Sequence, residues 1–271
     1  MIFIVIIVIV FCFYILAIKP NHGRQKDMKP FCDVYIAHRG LFNNTDIPEN
    51  SIRAFKKAVE NGYGIELDVQ LTADDKLVVF HDETLERICN DKRILNELTY
   101  DELLKLNLLN TDEKIPLFSD VLNIIGGKVP LIIEIKPEGR YIENIKMVND
   151  LMSSYRGIFC IESFHPLVLS WLRRNNNAII RGQLATDMFK EGKNKPLSQK
   201  ILLTNLLLNF LSKPDFIAFN HKHKNSFSYY LVRKLYKPVN VAWTIKNQAE
   251  LDNAKEFQVI IFDSFIPSKK Q

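Results

Sequence analysis

The sequence predicts an α/β fold: a TIM-type (β/α)8 barrel with a β-hairpin arm and a small insertion, preceded by one N-terminal transmembrane helix. Three observations predict it. Past residue 32, short β-branched runs alternate with helical patterns, as parallel strands joined by crossover helices do. The 271 residues, less an N-terminal segment, suit a single barrel of roughly 250 residues. Residues 2–18 are apolar or aromatic throughout, with no charge, Gly or Pro, and about 17 such residues is the lower limit for crossing a bilayer.

At the N-terminus, no Lys or Arg precedes the apolar run and no small-x-small cleavage site follows it, so a secretory signal is disfavoured. Residues 1–18 are therefore expected to be a single-pass membrane anchor. Lys19, Arg24, Lys26 and Lys29 crowd its C-terminal flank, and the positive-inside rule then places the rest of the chain in the cytoplasm. Polar residues 19–31 read as a tether, and 32–271 as the barrel.

Strands are expected at 34–37, 65–71, 77–80, 131–135, 159–163, 179–183, 216–219, 239–244 and 259–262. That is one more than a barrel needs. Only residues 72–76 separate the second from the third, too few for a parallel crossover and enough for a hairpin turn at Asp74-Asp75. The third is thus an arm that returns His81 over the barrel mouth. A helix opens at Glu49-Asn50-Ser51 and stops near Gly62. Residues 83–116, with a helix near 99–106, form a connection longer than barrel loops usually are and read as an insertion. Further helices fit 117–125, 141–154, 167–174, 201–211, 227–236 and 248–257.

A formal net charge of +5, with both signs spread along the chain, favours anionic partners weakly. No basic block with interleaved aromatics indicates nucleic acid. Cys12, Cys32, Cys89 and Cys160 lack metal-ligand spacing.

Reacting groups in such barrels lie at the C-terminal ends of strands. Here the first strand ends in His38-Arg39-Gly40, the second carries Glu66 and Asp68, the arm ends in His81-Asp82, and the next stave carries Glu134 and Lys136. Residues two apart on a strand share a face, so both side chains of each pair point into the barrel, three carboxylates and one ammonium. Unpaired buried charge costs several kcal/mol, so three carboxylates there demand a cation. Oxygen ligands alone suit Mg²⁺ or Ca²⁺, leaving His38 and His81 for proton transfer. Phe164 and Trp243 lie near the mouth, where they can pack against a substrate.

His38-Arg39-Gly40, Pro48-Glu49-Asn50-Ser51, Glu66-Leu67-Asp68-Val69-Gln70-Leu71-Thr72, Val79-Phe80-His81-Asp82 and Glu134-Ile135-Lys136 occur in that order, followed by Ser163-Phe164 and Trp243-Thr244. In this the chain resembles the glycerophosphodiester phosphodiesterases over nearly everything after residue 33. The resemblance implies Glu66, Asp68 and Glu134 as ligands of a divalent metal ion, His38 and His81 as an acid–base pair, and Arg39 and Lys136 as phosphate ligands. Glu49, Phe164 and Trp243 complete the expected substrate-binding set. Departures from the family pattern fall at Ser51, at Lys246 within Trp243-Thr244-Ile245-Lys246-Asn247, and at Phe262-Asp263-Ser264-Phe265; none touches the metal set or the histidines.

The implied function is metal-dependent hydrolysis of glycerophosphodiesters to glycerol 3-phosphate and an alcohol. Two alternatives stand beside it. An anchor and an apolar 201–211 helix with a polar stripe at Asn205 and Asn209 fit a lysophospholipase D acting on membrane lipids. A non-catalytic membrane-anchored binding protein is the other, and the presence of every charged residue the chemistry needs argues against it.

Overall fold

The structure is a computed structural model that describes residues 1–192 and 195–268; residues 269–271, assigned above to the barrel, lie outside the described residues. In chain order the elements are α1 (Ile2–Ala17), α2 (Lys29–Cys32), β1 (Ile36–His38), α3 (Ile52–Glu60), β2 (Gly64–Leu71), β3 (Leu77–Val79), α4 (Glu86–Cys89), α5 (Tyr100–Leu103), α6 (Phe118–Ile125), β4 (Leu131–Ile135), α7 (Tyr141–Met152), β5 (Phe159–Ser163), α8 (Pro166–Asn175), β6 (Arg181–Ala185), α9 (Leu197–Thr204), α10 (Asn209–Ser212), β7 (Phe216–Asn220), α11 (Phe227–Leu235), β8 (Val239–Ile245), α12 (Gln248–Asp252) and β9 (Val259–Phe262).

Eight parallel strands close in the order β1-β2-β4-β5-β6-β7-β8-β9, with β9 back against β1. The remaining strand, β3, is the hairpin arm. β1 ends at His38, opposite Glu66, which leaves the edge of β2 beyond Asp68 open, and β3 pairs antiparallel there from Val69 to Leu71. Asp75, in the left-handed region at φ 61°, makes the turn, and Thr72 closes it by exchanging backbone hydrogen bonds with Lys76 and Asp75. β4 takes the other edge of β2, so β2 is held on both sides.

The barrel interior is apolar below the mouth. Ile36, Ile132, Cys160, Leu184, Phe216, Ala218, Val241 and Ile261 fill it. Gly182 makes room for Phe216, because a Cβ at that position would lie 2.1 Å from the ring. Residues 19–31, read as a tether, are folded. Met28 and Phe31, both fully buried, join the interior cluster and plug the end of the barrel opposite the mouth. The shell helices pack outside, with Phe55 of α3, Val121 of α6, Val148 of α7, Val168 of α8 and Val232 of α11 in one outer core.

Two expectations are corrected. α1 has 16 residues and so spans roughly 24 Å, short of a hydrocarbon core of about 30 Å. No helix among the described residues is long and apolar enough to cross a membrane, so neither the transmembrane helix nor the single-pass membrane location stands. The apolar run reached the limiting length only by including residues that belong to the barrel. Ile18 is fully buried, Asn209 donates to its carbonyl, Tyr236 donates to the Ile15 carbonyl, and the Tyr14 and Ser228 hydroxyls are 2.7 Å apart. The single helix expected at 201–211 is also broken: α9 ends at Thr204, Leu206 turns at φ 54°, and α10 starts at Asn209. Leu206 is buried in the outer core, whereas α9 itself buries no residue fully.

Candidate active site

The C-terminal ends of the strands bring His38, Arg39, Glu66, His81, Glu134, Phe164 and Trp243 around one cavity of about 100 Å³. Sheet register sets the levels. His38 lies beside Glu66, and Asp68, Glu134 and Glu162 are in register on three successive staves, so their side chains point the same way. The hairpin then delivers His81, because β3 returns along the edge that β1 vacates. Gly40 lets the loop after β1 lie against α3, where a Cβ would meet Ala54 at 2.9 Å. A larger cavity of about 770 Å³ opens at the other end, beside Lys29, Arg233 and the start of β8, but contains none of these groups.

Ligand atoms of Glu66, Asp68 and Glu134 all lie within 4.8 Å of one another, and all three residues are buried. Lys136 Nζ is 2.9 Å from Glu134 Oε1 and 3.0 Å from Asp68 Oδ1. Asn50 donates to Asp68 Oδ2 at 2.8 Å, and the Arg39 backbone N–H donates to Glu66 Oε2 at 3.1 Å. Burial, reinforced by Asp68, Glu134 and Glu162, pushes the Glu66 carboxyl well above the usual range. Burial raises Glu134 too, with Lys136 opposing and Asp68 adding to the rise. Asp68 goes the other way: burial disfavours its charge, but Lys136, His81 and Arg39 outweigh that and hold it well below the usual range. Burial likewise opposes the Lys136 charge, yet Asp68 and Glu134 raise it above an ordinary lysine. Acids that repel one another this way, with only oxygen donors converging, fit a hard divalent cation.

Each histidine has a carboxylate behind it. His38 Nδ1 is 2.9 Å from Asp263 Oδ2, and His81 Nδ1 is 2.6 Å from Asp82 Oδ1. This leaves Nε2 of each ring for other chemistry, and His38 Nε2 lies 4.0 Å from Glu66. Burial, with Arg39 adding, lowers His38 to about 4 despite Asp263.

Glu49 lies in the second tier of the site. It takes Arg39 Nη1 at 2.6 Å and both Arg87 Nη atoms at 2.7 and 2.8 Å, and accepts from Asn44. Phe164 and Trp243 form the wall facing the acids, edge to face with ring centroids 5.5 Å apart. All ten residues predicted for the site are therefore at the mouth: seven line the cavity, Asp68 and Lys136 stand in the acid cluster, and Glu49 reaches it through Arg39. Sequence reasoning assigned no role to Asp82, Asp263, Asn50, Glu162 or Arg87. Asp82 adjoins His81, and Glu162 shares the inward parity of its strand, so both were findable; Arg87 is in the insertion, where nothing marks it.

Residues 38–264 match the glycerophosphoryl diester phosphodiesterase family. A glycerophosphodiester phosphodiesterase of Caldanaerobacter subterraneus subsp. tengcongensis is 46% identical over 109 residues, 37% of this chain and 44% of the relative, so the match spans less than half of that protein. In three dimensions the fold is similar to that of an Oleispira antarctica phosphodiesterase, solved in complex with the product sn-glycerol-3-phosphate, at TM-score 0.69 and 20% identity, covering 85% of this chain and 92% of the other. A Parabacteroides distasonis glycerophosphodiester phosphodiesterase gives TM-score 0.67 at 23% identity, covering 91% and 94%.

Proposed function

Because the chain belongs to the glycerophosphoryl diester phosphodiesterase family, we propose that it hydrolyses glycerophosphodiesters to glycerol 3-phosphate and an alcohol, with a divalent metal ion and two histidines. The observation that carries this reading is that two carboxylate-backed histidines line the same cavity as Glu66 and Glu134 of a buried three-carboxylate cluster.

Held by Glu66, Asp68 and Glu134, Mg²⁺ or Ca²⁺ would supply positive charge to the oxygens of a phosphodiester. Arg39 and Lys136 add fixed cations on the same side, and charge that builds on the phosphoryl oxygens is stabilised where water is excluded. Lys136 is held by Glu134 and Asp68, so its ammonium is in place before substrate arrives. Glu49 acts through Arg39, since its oxygens are already taken by the two arginines and Asn44. His38 and His81 form the acid–base pair: one takes the proton of the attacking oxygen and the other delivers a proton to the departing alcohol. Asp263 and Asp82 fix their tautomers by accepting from Nδ1–H. Opposite the charges, Phe164 and Trp243 face the organic substituent.

The test is release of glycerol 3-phosphate from glycerophosphocholine and glycerophosphoethanolamine, with Mg²⁺, with Ca²⁺ and with chelator, beside His38→Ala and His81→Ala. Metal-dependent release, reduced roughly 10²- to 10⁴-fold in either variant, is the expected result. Undiminished release in chelator, or in both variants, overturns the reading.

A further inference from the structure

Behind Phe164 the mouth continues into a second cavity of about 260 Å³, between the start of α8 and the α9–α10 segment. Phe164 is a wall of both cavities. Leu202, Leu203, Leu208 and Leu211 form the far side, and among the described residues every lining side chain apart from His165, Lys195 and Gln199 is apolar. These leucines are not used by the barrel. α9 buries no residue fully, and the left-handed turn at Leu206 sends that leucine into the outer core with Leu207 packed against it, while Leu202, Leu203, Leu208 and Leu211 remain half-buried around open space.

Leu167 of the lining is 43% exposed, and α9 and α10 expose Leu197, Ile201 and Phe210 as well, each 42% or more. A helix that keeps leucines out of the core and facing a cavity forgoes the burial that normally stabilises it. Space lined this way gains free energy only from an apolar occupant. Phe164 is the wall it shares with the cavity that Glu66 and Glu134 line, so a substituent on a phosphate bound there can pass Phe164 into it.

We propose that this cavity is a binding site for an apolar chain carried by the phosphodiester, making single-chain amphiphilic diesters better substrates than chainless ones. The inference rests on the phosphodiesterase reading and deepens it. The chain can be esterified to the glycerol, as in a lysophospholipid, or belong to the departing alcohol; both present the same hydrocarbon to the leucines.

The full chain, supplied with metal, is assayed below the critical micelle concentration on lysophosphatidylcholines of increasing acyl length and on glycerophospho-n-alkanols of increasing alkyl length. Glycerophosphocholine serves as the chainless reference. KM is expected to fall about fourfold per methylene until the cavity is full, in at least one series, and the series that responds identifies which side carries the chain. Leu203→Trp, which fills the cavity, and Leu202→Asp, which charges its wall, each flatten that dependence; thermal unfolding of both variants checks that they fold, and either alone suffices. KM independent of chain length in both series while glycerophosphocholine is cleaved, or a dependence unchanged in the folded variants, overturns the cavity's role and leaves the phosphodiesterase reading standing. No turnover of any diester overturns both.

Discussion

Glu49 joins the two arginines of the site, and its carboxyl shows which effect wins there. Burial alone would raise it, but hydrogen bonds from Arg87 and the charge of Arg39 lower it to about 2. A carboxyl depressed in the folded state binds fewer protons there than in the unfolded chain between its ordinary value and about 2. The stability it contributes is therefore fully present above about 4.5 and is lost as pH falls through that window. The depression corresponds to roughly 3 kcal/mol at neutral pH, with little solvent screening because the side chain is only 5% exposed. Urea unfolding of Glu49→Gln is expected to show a deficit of that order at neutral pH that closes as the pH approaches 2. A deficit of constant size across the range would mean that the amide disturbs packing rather than charge.

At the scale of elements, Arg87 ties the insertion to the residues proposed for catalysis. Arg87 of α4 reaches Asp82 Oδ2 through Nε at 2.7 Å and Glu49 through both Nη atoms. Asp82 in turn holds His81, and Glu49 holds Arg39. One planar fork thus couples the hairpin arm, the loop before α3 and the insertion. The core of the insertion, with Val78, Leu85, Ile88, Leu95, Leu103 and Leu108, is separate from the barrel's, so the fork can be lost without unfolding either. Arg87→Ala is expected to lower kcat/KM about tenfold and, because Glu49 loses the hydrogen bonds that help hold its charge, to lower the melting temperature by a few degrees while the chain stays folded. Arg87→Lys should recover little, since an ammonium lacks the planar fork; full recovery by lysine would reduce the role of Arg87 to net charge.

For the whole molecule, the N-terminal segment divides at about residue 14. Residues 1–13 are exposed, whereas Tyr14, Ile15 and Ile18 are held by α10, α11 and the residue after α11. Three hydrogen bonds at about 1 kcal/mol each and the burial of Ile18 at about 2 kcal/mol put the docked turn near 4–5 kcal/mol. Deleting residues 1–13 should leave the melting temperature nearly unchanged. Deleting 1–18 should lower it by about 10 °C, from 2–4 °C per kcal/mol in a chain of this size. Equal effects of the two deletions would show that the exposed part of α1 contributes to stability.

The sequence by itself determined the barrel, the hairpin arm and the acid cluster, because each rests on local rules. Period-two alternation puts Glu66 with Asp68 and Glu134 with Lys136 on the inner face, and a five-residue link between β2 and β3 permits only a hairpin. Tertiary structure decided what depends on surfaces meeting. Asp263 backs His38 across 225 positions, Arg87 meets Glu49 across 38, and Phe31 plugs a barrel whose strands begin after it. It also decided the fate of two apolar runs that composition reads alike. Residues 2–18 fall short of a span because the barrel claims their last turn, while 201–211 breaks at Leu206, buries that residue and leaves Leu202, Leu203, Leu208 and Leu211 around a cavity. Composition measures how much apolar surface a segment carries; only packing determines which part of that surface finds a partner.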